Sequence, residues 1–218
     1  GAGYIGSHTV KVLAEHGYSV TAVDIKKSSN DISRYCKKII INDITNDIWN
    51  GRYDHVVHLA GLIAVEESVS KPWLYTKNNV IGTNNILEKT YHYDDVNVTF
   101  ASTAAAFNPL SPYAYTKILA EELVKEKADN YTIFRFFNVA GNDGEFKQIG
   151  KATHLIRIAA EVAAGKRPFI NIFGTDWETR DGTAIRDYVH VSDLVECIVY
   201  SIENPSNSNF ECIGSGIG

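Results

Sequence analysis

Residues 1–24 read GAGYIGSHTVKVLAEHGYSVTAVD, and this stretch decides the fold. Gly1, Gly3 and Gly6 crowd a turn that runs into a helical segment, Ser7 to His16, which Gly17 stops. An apolar, β-branched run from Tyr18 to Val23 follows and ends at Asp24. Such a loop lets the backbone approach a pyrophosphate closely and aims a helix N-terminus at it. Taken alone, the glycines fit an ordinary turn equally well. Asp24 separates the two readings. A carboxylate at the end of the next strand, about 20 residues on, accepts hydrogen bonds from ribose hydroxyls and repels a 2′-phosphate. NAD is therefore expected rather than NADP.

Working outward, Lys38 to Ile41, Asp54 to Leu59, Val96 to Ser102 and Tyr131 to Phe137 are further short β-rich runs separated by helical or loop material. This alternation predicts an α/β fold with a Rossmann-type, doubly wound parallel sheet. The longest helical candidates are Pro72 to Tyr91 and Pro112 to Lys127, the second capped by Ser111 with Pro112 in its first turn. From about Asn142 the alternation breaks into glycine- and charge-rich stretches around one helix, Thr153 to Ala164, and an apolar strand, Phe169 to Phe173. Asp187 to Val191 and the helix Ser192 to Ile202 read as a return to the main sheet. The expected organisation is a dinucleotide-binding domain over 1–140, rejoined by 187–205, with 141–186 and 206–218 in a smaller substrate-binding lobe. The sequence opens inside the glycine motif with no preceding strand and has no methionine, so an incomplete chain is expected.

The strand ends carry the chemistry. Asp43, with Ile44, follows the run at Lys38, where a carboxylate could reach an adenine amino group; a solvated loop aspartate fits as well. His58 to Gly61, HLAG, closes another strand with the small residues Ala60 and Gly61 after Leu59, which suits a backbone passing beneath a cofactor. His58 itself reads as a core histidine. Tyr113 and Lys117, in YAYTK, are four apart and share a helix face, whereas Tyr115 has Leu119 at the matching place. A nearby ammonium and a positive nicotinamide ring would stabilise the phenolate, bringing Tyr113 toward use as an acid/base at neutral pH. Ser102 and Thr103 end the preceding strand and can set a hydroxyl beside the same substrate oxygen.

Of 218 residues, 44% are hydrophobic and 22% charged, with no run of about 18 apolar residues, so no membrane segment is expected. A net charge of -5 argues against a general affinity for nucleic acid. Cys36, Cys197 and Cys212 form no CxxC pair and lie near no histidine cluster, which points to a reduced, cytoplasmic setting without a metal site. The sequons at Asn97 and Asn130 read as chance.

Together GAGYIGSH, HLAG, AST before YxxxK, RFFN at Arg135 to Asn138 and DGTAIRDYVHV at Asp181 to Val191 resemble the UDP-galactose (UDP-glucose) 4-epimerase family of extended short-chain dehydrogenases/reductases. The resemblance covers nearly the whole chain, and the DGTxxRDY stretch is its most specific part. It implies Thr103, Tyr113 and Lys117 as the catalytic set. It further implies cofactor contacts from Gly3, Tyr4, Ile5, Gly6, Asn79 and Phe136, beside Asp24, Asp43, Ile44, Leu59, Ala60 and Gly61. The substrate, a UDP-sugar, would meet Thr103, Phe137, Asn138 and Arg186, with Leu155 and Phe173 near the uridine. For Arg186 the physical case agrees: a guanidinium fork suits a diphosphate, and Asp187 could orient it.

The chain departs from the family at Ile63, where some members carry lysine, at His154, where asparagine is frequent, and in the short span from Thr103 to Tyr113. The implied activity is epimerisation at sugar carbon 4 through a transient 4-keto sugar, in a homodimer built on the helices beginning near Pro72 and Pro112. A 4,6-dehydratase would need Asp-Glu after the threonine, where this chain has Ala104 and Ala105. An epimerase of UDP-N-acetylhexosamine, UDP-glucuronate or a UDP-pentose, and a non-catalytic NAD-binding regulator, are the remaining readings.

Overall fold

Short β-branched runs alternating with helices bury both faces as parallel strands between helical layers, and among the described residues every strand ladder is parallel. The computed structural model describes residues 1–27, 30–46, 51–90, 95–150, 152–205 and 209–213. The strands are β1 (Thr21–Asp24), β2 (Lys38–Ile41), β3 (His55–His58), β4 (Asn97–Thr103), β5 (Asn130–Phe136), β6 (Asn138–Ala140), β7 (Tyr188–His190) and β8 (Asn209–Ile213). The helices are α1 (Tyr4–Glu15), α2 (Val65–Ser70), α3 (Pro72–Tyr75), α4 (Gly82–Thr90), α5 (Pro112–Lys127), α6 (Leu155–Ala163) and α7 (Val191–Glu203).

The ladders run β1–β2, β3–β4–β5–β8 and β6–β7. A cleft of about 700 Å³, lined by Ala22 and Val23 of β1 and by Val56 and Val57 of β3, lies between the first two. On one face of the four-stranded ladder, Phe134 and Phe136 pack against Leu13 of α1 and Leu194, Ile198 and Ile202 of α7. On the other, Val98, Phe100 and Ile133 pack against Leu87 of α4 and Ala120 and Val124 of α5. The fold class expected from the sequence therefore stands, with the strand ends and the N-termini of α1 and α5 meeting at one rim.

Several local expectations need correction. Phe169 to Phe173 is not a strand: no ladder reaches it, and Phe169 and Phe173 are 63% and 91% exposed. An apolar run becomes a strand only where a neighbour offers hydrogen bonds. Asp187 to Val191 does not return to the main sheet, because its central residues form β7 and pair with β6, Asn138 opposite Tyr188. Residues 209–213, assigned to the smaller lobe, run instead as β8 beside β5. The long helix from Pro72 is α3, a π-helical turn over Thr76–Ile81, and α4 in sequence. Its expected last residue, Tyr91, and residues 206–208 and 214–218 of the expected lobe lie outside the described residues. Among the described residues no helix is long and apolar enough to cross a membrane.

Candidate active site

The turn 1–3 delivers the chain into α1, whose first turn carries no acidic residue and whose cap, Gly3, has no side chain to satisfy the free N–H groups. A Cβ at Gly6 would sit on the Gly1 carbonyl, 2.9 Å from its carbon, so only glycine lets α1 approach the turn this closely. Asp24, at the end of β1, accepts a hydrogen bond from the Ala2 N–H at 2.8 Å and so lies beside the loop, where its placement was expected. The Asp43 carboxylate accepts from the Thr45 N–H at 2.8 Å and shapes the turn after β2, while Ile44 is buried against Ile86. Tyr4 reaches across to donate to the Gly141 carbonyl at 2.7 Å. The side chains of Ile5, Leu59 and Phe136 are packed in the core between α1 and α7.

At the end of β3 the chain turns through Leu59, Ala60 and Gly61. Asn79, buried on the π-helical turn, clamps this segment: its Oδ1 accepts from the Leu62 N–H at 2.8 Å. Its Nδ2 donates to the Leu62 carbonyl at 3.0 Å and to Thr116 Oγ1 at 3.1 Å. Both amide hydrogens are thus spent within the protein, and a cofactor would meet only the remaining lone pair of Oδ1. A Cβ at Gly61 would come 3.2 Å from Asn79 Oδ1 and 3.8 Å from Lys117 Nζ. His58 fills the core as expected, buried with Nε2 2.8 Å from Thr83 Oγ1, and burial pushes its pKa down to about 3.

Ser111 caps α5 by accepting from the Ala114 N–H at 3.2 Å, and Pro112 opens the helix, as read from the sequence. This start sets Tyr113 in the first turn and Lys117 one turn later, both buried. Tyr113 stands edge-on to Tyr75, ring centroids 6.4 Å apart, and hydrogen-bonds Thr103. Thr103 Oγ1 also accepts from the Ala105 N–H at 3.2 Å, which fixes the hydroxyl at the strand end. Lys117 lies with Nζ 4.4 Å from the Phe100 ring centroid. Burial lowers the Lys117 ammonium to about 8, against the opposing charge of Glu121.

Burial also raises the Tyr113 phenol above its ordinary value, more than its bond to Thr103 lowers it. In the protein by itself, then, desolvation wins; the stabilisation expected for the phenolate joins the Lys117 ammonium to the positive ring of bound NAD. Ser102, the other candidate hydroxyl, donates to Glu121 Oε1 and is withdrawn from the strand end. Glu121 and Arg135 were not singled out by the sequence reading; the i,i+4 spacing from Lys117 was the signal available.

Of the expected substrate residues, Asn138 and Leu155 line one cleft of about 540 Å³ together with Tyr4, Gly141, His154 and Tyr188. Asn138 Nδ2 donates to the Asp187 carbonyl at 2.7 Å. The Phe137 ring lies tilted against that of Phe107, centroids 6.3 Å apart. Arg186 is exposed and donates to the Ile185 carbonyl at 2.8 Å. Phe173, fully in solvent, is not brought to this cleft, and Ile63 is exposed.

A family model described as "NAD dependent epimerase/dehydratase family" matches residues 1–212. UDP-glucose 4-epimerase 2 of Arabidopsis thaliana is 34% identical over an alignment covering all of this chain and 75% of that protein. A UDP-glucose 4-epimerase of Brucella ovis solved in complex with NAD superposes with a TM-score of 0.88 at 31% identity, over 99% of this chain and 75% of the other. A UDP-glucose 4-epimerase of Bifidobacterium longum, solved with NAD+ and UDP, gives a TM-score of 0.85 at 27% identity, over 99% and 76%.

Proposed function

This chain belongs to the NAD dependent epimerase/dehydratase family, and from that premise we propose that it interconverts UDP-glucose and UDP-galactose by NAD-dependent epimerisation at carbon 4. One observation carries the reading: Thr103, Tyr113 and Lys117 converge at the end of β4 and the start of α5, with Lys117 Nζ close to Gly61 at the neighbouring strand end. The residues present fit NAD. The glycine cradle that a Cβ would fill, the uncapped N-terminus of α1 and the carboxylate of Asp24 suit its pyrophosphate and adenosine ribose. When bound, NAD supplies the hydride acceptor and donor and, in its oxidised form, a positive ring.

Tyr113 takes the proton of the carbon-4 hydroxyl at its Oη and later returns it, and Thr103 holds the same hydroxyl by a hydrogen bond. Lys117, charged at pH 7 with its pKa near 8, supplies the protein's cation beside the phenol. Asn138 and Arg186 hold the diphosphate, Phe137 borders the sugar, and Leu155, in a lobe spanning 141–186, flanks the uridine. These remote contacts keep the 4-keto sugar in place while it presents its other face. Water elimination lacks its acid and base, since Ala104 and Ala105 follow Thr103.

The helices starting at Pro72 and Pro112 would form the homodimer face. Trp73, Ile81, Tyr115 and Leu119 leave apolar side chains exposed there, at 68%, 48%, 56% and 52%. Sedimentation of Leu119→Arg as a monomer, against a dimeric parent, tests this. A reducing cytoplasm suits the free thiol of Cys36.

The test of function is incubation with UDP-galactose and no added NAD. UDP-glucose, together with NAD released on denaturation, supports the reading; bound NAD without conversion would redirect it to another UDP-sugar, and the absence of both after NAD is added would overturn it.

A further inference from the structure

One charged cluster below the reacting centre has no part in the steps above. Glu121 is 0% exposed, one helical turn past Lys117 on α5. Burying a carboxylate is costly unless donors surround it, and this one is surrounded. Arg135 of β5 reaches it with two bonds, Nε to Oε1 at 2.9 Å and Nη2 to Oε2 at 2.7 Å. Ser102 of β4 donates to Oε1. The Arg135 guanidinium also lies 4.7 Å from the Phe107 ring centroid, which covers the pair.

We infer that Glu121 is a positioning residue for this reaction: a buried carboxylate, anchored by Arg135 and Ser102, that holds Lys117 in its charged form one turn away. The inference rests on the function proposed above. Three charges alternate in sign through the cluster, Lys117, Glu121 and Arg135. A purely structural site would be served as well by apolar side chains of similar volume.

The other groups facing Lys117 do not neutralise it. The Phe100 ring lies under its Nζ, His58 of β3 is buried and uncharged, Tyr113 of α5 is a protonated phenol, and Asn79, beside Gly61, is a neutral amide. Glu121 is the group that opposes the loss of the Lys117 proton on burial. The same carboxylate draws Ser102 inward, leaving Thr103 as the hydroxyl at Tyr113.

The experiment uses the NAD-loaded protein with lysine labelled at its ε carbon, and follows Lys117 through a pH titration by NMR alongside kcat and KM. Glu121→Gln keeps the shape and removes the charge. With the carboxylate charge gone and Arg135 still in place, the Lys117 midpoint should fall from about 8 by roughly one pH unit or more. The alkaline limb of kcat should move down with it, while KM stays within about twofold. Glu121→Asp, which restores the charge, should recover part of the shift.

Arg135→Gln should move the midpoint the opposite way, up, because Lys117 becomes the remaining cation beside the carboxylate. General loosening of the core would shift both variants in one direction. An unmoved Lys117 in Glu121→Gln, or parallel shifts in Glu121→Gln and Arg135→Gln, would overturn the inference. Absence of turnover on any sugar nucleotide in the parent protein would fault the function instead, since the titration is read on Lys117 itself.

Discussion

Replacing Gly6 by alanine tests the cofactor cradle with a single methyl group. A Cβ at this position would stand 2.9 Å from the Gly1 carbonyl carbon, against an optimum of about 3.5 Å between carbons. The turn must retreat by roughly 0.6 Å or more, and the Ala2 N–H that binds Asp24 moves with it. The free N–H groups of α1 then miss the pyrophosphate. Hydrogen bonds to a charged group are worth about 1.5–3 kcal/mol each. Losing one or two therefore costs about 3 kcal/mol, roughly a 100-fold rise in Kd. Calorimetric titration of NAD into protein stripped of cofactor measures this directly. A Kd within threefold of the parent, in a folded variant, would refute the placement of the pyrophosphate at this helix.

Two further substitutions separate catalysis from stability. Tyr113→Phe removes the phenol oxygen and leaves Thr103 its bond from the Ala105 N–H, so kcat should drop by about 10²–10⁴-fold with NAD still bound; retained turnover would remove Tyr113 from the mechanism. Lys117→Met should abolish turnover yet raise Tm at pH 7. The folded pKa of about 8 lies below the ordinary value of 10.5, so the charged form costs the folded state on the order of 3 kcal/mol. By the same sign, the unfolded chain binds more protons between those values, and the Lys117 contribution to stability rises as pH climbs through that window and is lost as it falls through about 8. A lower Tm for Lys117→Met would contradict this.

Much of the site could be read from the sequence because its signals are local. Gly1 to Gly6 and Asp24 are joined by one helix and one strand, and Tyr113 and Lys117 by one helical turn, so spacing alone fixes their proximity. Position alone leaves Ser102 and Thr103 as equal candidates and the family resemblance names Thr103, although strand alternation also holds the answer. Ser102 shares the face of Phe100 toward α5, and Thr103 reaches the rim only because the strand ends there. Arg135 lay inside the RFFN motif, but its pairing with Glu121 joins two elements and leaves no periodic trace. The failed strand at Phe169 to Phe173 and the small β6–β7 ladder show the same limit. Apolar composition nominates a strand, and the partner that confirms it is distant in sequence.

The central claim is that the carbon-4 hydrogen leaves as hydride and returns to the same carbon within one closed site. Conversion of UDP-galactose deuterated at carbon 4, run in ordinary water, tests this directly. UDP-glucose carrying the label undiminished at carbon 4 is the expected result, whereas loss of the label to solvent would mean proton abstraction from carbon and would contradict the hydride mechanism.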